Sequence, residues 1–344
     1  MIAEKRTALK TVFDVSRPLA DLFSVREDVV PYVNSLLTEN CESIGTVKDA
    51  ISTLLAVENG EINYFRLVSH SVLGALVGQS VDAMPLCAVS RTWWAGAEVL
   101  DDIADGDFDA VAVGLSGEAA LLAATACVSL VPHLIVRAQN YAPETEVRIA
   151  GEIVRESLAC VNGQMDDLHS PDRPVSWRRV MVSYAGKTGA PYARDTALAA
   201  VLAGCSEEQT AAWRTFGRLF GVLRQLANDR AYRTAAEDAD LANGTMTLLL
   251  AHAVEILRGP AAEKVLALRP AARRDPEARA ELWRHLRSPE AADSYDARVT
   301  VLESRLSAML RRLADPSDHR HTVEWMIKKS ARTARLSVGP DRHA

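Results

Sequence analysis

The stretch AEVLDDIADGDFDA, residues 97–110, sets six carboxylates within twelve residues: Glu98, Asp101, Asp102, Asp105, Asp107 and Asp109. It follows the apolar-rich run LCAVSRTWWAG (86–96), and no Lys or Arg occurs between Arg91 and Arg137. A solvated helix face would interleave basic residues with the acidic ones. On a helix, positions four apart share a face, so Asp101 and Asp105 point the same way with Asp102 beside them, a DDxxD pattern. Holding like charges this close is unfavourable without a cation. Mg²⁺ takes oxygen ligands, keeps several waters and completes its shell with substrate phosphate, so this carboxylate pair suits it. Taken alone, the stretch also fits a solvated helix end followed by an acidic loop.

With 48 % hydrophobic and 24 % charged residues in 344, the chain has the globular balance that a sizeable core needs. A net charge of −6 gives no sequence-wide attraction to nucleic acid or to an anionic membrane. Cys41, Cys87, Cys127, Cys160 and Cys205 are odd in number and never in CxxC spacing. That argues against a disulfide framework or a structural zinc and fits a reduced, cytoplasmic setting. The N-terminal MIAEKRTALKTVFDVSRPL lacks a signal-peptide apolar region. The longest apolar run, AALLAATACVSLVPHLIV (119–136), is interrupted by Ser129, Pro132 and His133 and is expected as a buried helix, with no membrane span.

Apolar residues recur at three- and four-residue spacing almost throughout, as with Trp213, Phe216, Leu219, Phe220, Leu223 and Leu226 in WRTFGRLFGVLRQLAND. Strand-like alternation is nearly absent. Breaks rich in Gly, Pro, Asp and Asn fall at 58–63, 105–109, 140–146, 169–176, 203–208, 240–245 and 258–263. The expectation is all-α: roughly ten to twelve helices forming one domain over 1–338, a bundle around a central apolar cavity, with 339–344 a disordered tail.

A bundle site needs a second wall. RQLANDRAY (224–232) puts Gln225 and Asp229 on one helix face, and Asn228 and Tyr232 on one; a buried Asn–Asp pair there is costly unless paired or metal-bound. GQMDDL (163–168) places Gln164 and Asp167 one turn apart, and YAGKTGAPYA (184–193) offers Lys187 and Thr188 at a glycine-flanked break, where a lysine reaches phosphate as a point charge. Each segment alone also reads as ordinary polar surface.

Together, LDDIAD, GQMDDL, KTGAPYARDTALAAVLAG and FGRLFGVLRQLANDRAY, in this order within roughly residues 50–255, resemble the trans-isoprenyl diphosphate synthases (polyprenyl synthetases) of the class I isoprenoid synthase fold. The resemblance implies that Asp101, Asp102 and Asp105 bind Mg²⁺ and an allylic prenyl diphosphate. It also implies that Gln164, Asp167, Lys187, Gln225 and Asp229 line the same site, that Asn228 and Asp229 open the second metal motif, and that the protein is a homodimer.

The departures are one-sided. The family's basic Gly-Lys-Arg element, which holds isopentenyl diphosphate, is matched by NGEINYFR, with Glu61 and Ile62 in the basic positions and Arg66 the only cation nearby. The Arg pair after the first aspartate motif is absent, Trp94 replaces a histidine, Asn228 and Tyr232 replace two aspartates, and Thr245 replaces a lysine. A second diphosphate, with roughly two to three negative charges, has lost its cations. The expected activity is therefore ionisation of an allylic diphosphate of about three to four isoprene units, followed first by cyclisation of the carbocation. The alternatives are prenyl transfer, to another acceptor or in chain elongation, and an inactive partner subunit. Gly96 and Ala97 leave room below Asp101, and Trp93, about 12 Å down the helix, would form a floor. His70 and His133 read as core histidines, Arg178 and Arg179 as surface charges, and the basic segment HRHTVEWMIKKSARTAR (319–335) as a solvated helix face.

Overall fold

The computed structural model describes residues 16–40, 45–57, 63–78, 83–169, 175–230 and 234–336. Glu61, Ile62, Tyr232, Cys41 and the tail 339–344 lie outside the described residues. Among the described residues there is no strand, and the α-helices number seventeen, more than the sequence pattern counts. They are α1 (Ser16–Asn40), α2 (Gly45–Val57), α3 (Val68–Val77), α4 (Met84–Asp105), α5 (Ala110–Val113), α6 (Gly117–Ser129), α7 (Val131–Arg137), α8 (Pro143–Leu168) and α9 (Trp177–Lys187). There follow α10 (Gly189–Leu202), α11 (Glu207–Asn228), α12 (Ala239–Asn243), α13 (Leu248–Ile256), α14 (Pro260–Ala272), α15 (Pro276–Leu286), α16 (Pro289–Leu313) and α17 (Asp318–Ala334). A 3₁₀ turn at Tyr64–Leu67 precedes α3.

The bundle is organised around α10. Apart from the Arg194–Asp195 pair, its sequence GAPYARDTALAAVL is mostly small or apolar, and every residue from Gly189 to Val201 is buried. Small residues let α11 approach it closely: a Cβ on Gly221 would fall 2.6 Å from the Gly189 Cα and from the Thr188 carbonyl oxygen. The Thr196 hydroxyl also donates to the Trp213 carbonyl at 2.8 Å across this contact. Arg194 and Asp195 are buried at its centre, paired at 2.7 Å, with Asp195 accepting a further bond from Ser90 of α4 at 2.7 Å. The buried pair is thus hydrogen-bonded across helices, as burial of charge requires. On the outer side, α11 is tied to α8 by Arg214–Glu152 at 2.6 Å and by Arg218–Glu156.

The long apolar run is not one helix. Pro132 starts α7 after a break at Leu130, and although Gly117–Arg137 is long and apolar enough by composition to cross a membrane, half of its most apolar window is buried in the bundle. Leu122 and Leu130 are exposed, and α8 carries an exposed apolar stripe, Val154, Leu158, Val161 and Met165, at three- and four-residue spacing, with Val147 two turns before it. The segment read as a solvated C-terminal face is instead half inside: α17 buries Val323, Met326, Ile327 and Ala331, and Trp325 stacks parallel to Phe65. Lys328 and Glu324 make up part of its wet side. His70 is buried as expected, in ring contact with His319. Arg178 and Arg179 are exposed, and Cys87, Cys127, Cys160 and Cys205 are free thiols.

Helices α8 and α9 cross at paired glycines. A Cβ on Gly163 would fall 2.2 Å from the Lys187 backbone nitrogen and 2.6 Å from the Gly186 carbonyl carbon. Backbone cannot yield as a flexible side chain does, so Gly163→Ala should lower the unfolding free energy by roughly 2–3 kcal/mol in urea denaturation. A loss under about 0.5 kcal/mol would show that the crossing has slack.

Candidate active site

The C-terminal half of α4, the end of α8, the α9–α10 junction, the end of α11 and α12 enclose one large cavity of about 1340 Å³. Asp101, Asp105, Gln164, Asp167, Lys187, Thr188, Gln225, Asn228 and Asp229 all line it, as do Trp93 and Ala97. Segments separated by up to 136 positions in the chain, Trp93 to Asp229, thus meet as the motif order implied.

Two linked networks form the polar end. In the first, the Lys187 ammonium donates to Asp167 at 2.9 Å and lies 3.3 Å from Asp101, whose other neighbour is the donating amide of Gln164. In the second, Thr188 donates to Gln225 at 2.5 Å, the Gln225 amide donates to Asp229 at 2.9 Å, and the Tyr184 hydroxyl donates to the other Asp229 oxygen at 2.5 Å. Lys187 sits where it does because of the glycine crossing, with its carbonyl accepting from the Cys160 thiol at 3.1 Å.

Four placements differ from the sequence reading. Asp102 is exposed and absent from the cavity wall; the 100° step per residue turns it toward Glu98 and Asp107. Asn228 is exposed at the cavity rim, so the Asn–Asp pair is not buried together; only Asp229 is. Gly96 likewise does not open the pocket. It faces α6, where a Cβ would fall 2.6 Å from the Ala124 carbonyl oxygen and 2.7 Å from the Cys127 Cβ. Ala97 alone leaves room below Asp101, and His133, read as a core histidine, lines the apolar arm with Val128, Ile153, Val154 and Leu158.

Trp93 is 4 % exposed and lines the arm's end. Behind it lies charge: the Arg194 guanidinium sits 4.6 Å from the Trp93 ring and has no place in the cavity wall. Any floor at Trp93 therefore has a second, ionic layer.

Charges at the polar end are strained upward. Burial first, opposed by Lys187 and reinforced by Asp167, raises the Asp101 carboxyl above its ordinary range. Burial and then Asp101 raise Asp105, and burial followed by Asp101 and Glu98 raises Asp102. Burial and the nearby Asp240 hold Asp229 well above the carboxylate range. Burial alone would lower Lys187, but Asp167 and Asp101 outweigh it and the net shift is upward, fixing the ammonium.

Asp240 and Tyr184 are the residues that the sequence reading missed. Asp240 stands at the start of α12, where Asp238 caps the helix by accepting from the Leu241 amide at 3.0 Å. Burial, then Asp238 and Asp167, push its carboxyl up to about 7. The only local flag was the Asn-Gly break that ends this short helix; nothing in spacing ties it to Asp229. Tyr184 looks like a core tyrosine in sequence, one turn before Thr188, and only the packing of α9 on α11 gives its hydroxyl a carboxylate.

With the geometry in hand, comparison places the chain. Residues 97–285, more than half of it, match the family model described as polyprenyl synthetase, and the protein belongs to that family. No curated protein matches the sequence. Among solved structures, the chain is similar to a geranylgeranyl pyrophosphate synthetase from Pyrococcus horikoshii (19 % identity, 91 % of this chain and 99 % of that one, TM-score 0.75). It is also similar to a geranylgeranyl pyrophosphate synthase from Corynebacterium glutamicum solved with isoprenyl diphosphate and magnesium (19 %, 90 % and 98 %, 0.72). A decaprenyl diphosphate synthase from Rhodobacter capsulatus follows (13 %, 93 % and 98 %, 0.74). At these identities the likeness establishes the all-α isoprenoid synthase fold.

The raised carboxyls have a measurable consequence. A carboxyl whose folded pKa lies above its unfolded value binds more protons when folded, so it costs stability as pH rises through that window. For Asp240 the window runs from 3.8 to about 7. Asp240→Asn should therefore raise the Tm of the metal-free protein at pH 8, with the gain shrinking toward zero as pH falls to about 4. Paired melts of the two proteins in chelating buffer check this; a gain independent of pH would contradict it.

Proposed function

We propose that the protein ionises an allylic prenyl diphosphate of about three to four isoprene units with Mg²⁺ and transfers the prenyl group to an acceptor other than isopentenyl diphosphate. The carrying observation is Lys187, which bridges Asp101 and Asp167 at the mouth of an apolar arm. The ammonium stands where charge must be balanced, and the donors around it are carboxylate and amide oxygens, the hard ligands that suit Mg²⁺. Among the described residues no three already converge as a cage, which fits binding together with a diphosphate rather than alone.

On this reading Asp101 and Asp105 hold metal from α4 and Asp229 and Asn228 from α11, with Asp102 beside them outside the wall. Bound Mg²⁺ would supply Lewis-acid neutralisation of the leaving diphosphate. Lys187 would swing from its carboxylates to a diphosphate oxygen and stabilise charge as the C–O bond breaks. Gln164 and Asp167 fix that lysine, while Thr188 and Gln225 orient Asp229. The hydrocarbon tail would run past Ala97 into the arm, along Val128 and the buried Ile153, whose apolar surface keeps water from the cation. The family and the diphosphate synthases among the similar folds support prenyl transfer.

Cyclisation, the first expectation from sequence, has less support. A guanidinium lies over one face of each indole, Arg194 on Trp93 and Arg66 on Trp94, each at 4.6 Å, and positive charge so close to both rings opposes a carbocation held beside them. Against isopentenyl diphosphate stands the pairing of Arg66 with Glu98, which leaves the neighbouring Arg224 as the one guanidinium there without a carboxylate among the described residues. The same proposal includes a single domain, a cytoplasmic setting and a homodimer, for which the exposed apolar stripe on α8 with Leu122 and Leu130 is the matching surface. An inactive partner subunit has no comparable observation; Mg²⁺ with geranylgeranyl diphosphate should raise the Tm of an enzyme and leave a scaffold unmoved.

Asp101→Ala should cut pyrophosphate release from geranylgeranyl diphosphate by at least about 100-fold. Near wild-type release would remove the metal assignment. Isopentenyl diphosphate added to wild type should yield no longer prenyl diphosphate by mass spectrometry, and clean elongation would restore an ordinary synthase.

Chain length is tested on the arm. Ala97→Phe should move preference toward farnesyl or geranyl diphosphate in competition assays. Trp93→Ala would bare Arg194, so it should destabilise by about 3–5 kcal/mol rather than admit a longer chain. A well-folded Trp93→Ala protein that prefers longer substrates would show the ionic layer to be no barrier.

A further inference from the structure

The cavity has a second end, distinct from both the aspartates and the apolar arm. Trp94 lies seven residues before Asp101, about 10 Å down α4. Near it the wall is made by Asn63, Arg66, Tyr192 and Arg224. The Trp94 and Tyr192 rings are neighbours inclined at 56°, with centroids 5.8 Å apart. Three buried polar atoms there have no partner: the Asn63 Oδ1, the Trp94 Nε1 and the Arg224 Nε. Each orphan costs about 1–3 kcal/mol. Among the described residues the Trp93 Nε1 and the Ser157 hydroxyl are also unpartnered along the cavity wall, but these three share one end with an unpaired guanidinium and point to a ligand that satisfies them.

The charge is equally specific. Arg66 is neutralised by Glu98 and lies over Trp94. Arg224 is held 3.7 Å from the Phe65 ring and donates to the Ser330 hydroxyl at 3.3 Å, and it hydrogen-bonds Tyr192. No Asp or Glu pairs with Arg224 among the described residues. This end therefore offers two N–H donors, one acceptor, two aromatic walls and one uncompensated guanidinium. A diphosphate, with roughly two to three charges, does not match one cation; a single carboxylate does. An aliphatic acceptor would leave these aromatic surfaces idle, whereas a flat ring can stack on one and meet the other, inclined at 56°, edge-on.

We infer that this end is the acceptor subsite and takes a planar aromatic nucleophile bearing one carboxylate, the carboxylate on Arg224 and the ring against Trp94 and Tyr192. The inference rests on the prenyl-transfer reading above and names its second substrate. In the transfer, the allylic C1–O bond breaks with its electron pair leaving on diphosphate. A π pair of the ring then forms the new C–C bond to C1. The proton lost from that ring carbon goes to the released diphosphate, restoring aromaticity with nothing oxidised or reduced.

Calorimetry on the full chain with Mg²⁺ and geranylgeranyl thiodiphosphate tests it, with 4-hydroxybenzoate and indole-3-acetate as probes, their neutral amides as controls, and isopentenyl diphosphate as rival. Each acid should bind at least about tenfold more tightly than its amide, as a charge-assisted bond requires. Both should outcompete isopentenyl diphosphate, and geranylgeranyl diphosphate should give a prenylated acid by mass spectrometry. Arg224→Gln should erase the difference between acid and amide, and Arg224→Lys should restore part of it, with Tm confirming that each is folded. If the Gln variant does not fold, the wild-type comparison of acid with amide decides alone. Equal binding of acid and amide, no binding of either, or tighter binding of isopentenyl diphosphate would overturn the inference. Pyrophosphate release by wild type separates the two levels. Release without acid binding sinks only the acceptor, whereas no release from any allylic diphosphate, with or without acid, sinks the transfer reading beneath it.

Discussion

The Lys187 ammonium, held between Asp101 of α4 and Asp167 of α8, is the contact on which the site's geometry depends. It joins three helices at the point where the cavity is most acidic. Without it, Asp101, Asp105, Asp167 and Asp240 would face one another across a partly dry space. The lysine can occupy that place only because Gly163 and Gly186 bring the α8 and α9 backbones into contact. A steric allowance in the backbone thus sets an electrostatic balance, and that balance is what a metal-bound diphosphate would exchange for its own.

The rest of the molecule supports this point from behind. The small residues of α10 let α11 approach to glycine distance, which carries Gln225 to Thr188 and Asp229 to Tyr184. Because these bonds run between helices rather than along them, each fixes a side chain against a different rigid element. The buried Arg194–Asp195 pair performs the same service at the opposite end. It locks α10 to α4 through Ser90 and backs the indole of Trp93. Replacing such a pair with apolar residues is often neutral for stability, so its place under the cavity bears on the shape and polarity of the arm's end.

Three chemistries therefore share one cavity. Carboxylates and an ammonium occupy one end, an apolar arm leads away from them, and a third end joins aromatic walls to guanidinium groups. Arg66 spends its charge on Glu98, and Arg224 keeps its own. That division is opposite to what two diphosphates would need, since each would call for several uncompensated cations.

The amino-acid sequence by itself determined whatever depends on neighbours along one helix. The one-turn spacing of Asp101 and Asp105 and of Gln225 and Asp229 is set by 3.6-residue periodicity, and both pairs line the cavity together as that spacing implies. The order of the motifs was enough to indicate the family. The tertiary structure alone decided which way each helix turns about its axis and what crosses it. Rotation put Asp102 outside the wall and turned Gly96 toward α6. Chain return brought Asp240 beside Asp167 and packed Tyr184 onto Asp229. It also left Arg224 half-buried with no carboxylate partner among the described residues, on a helix whose sequence reads as ordinary amphipathic pattern. Periodicity tells which residues share a face, but the partner of that face is fixed by long-range packing, where a single glycine or guanidinium sets the distance.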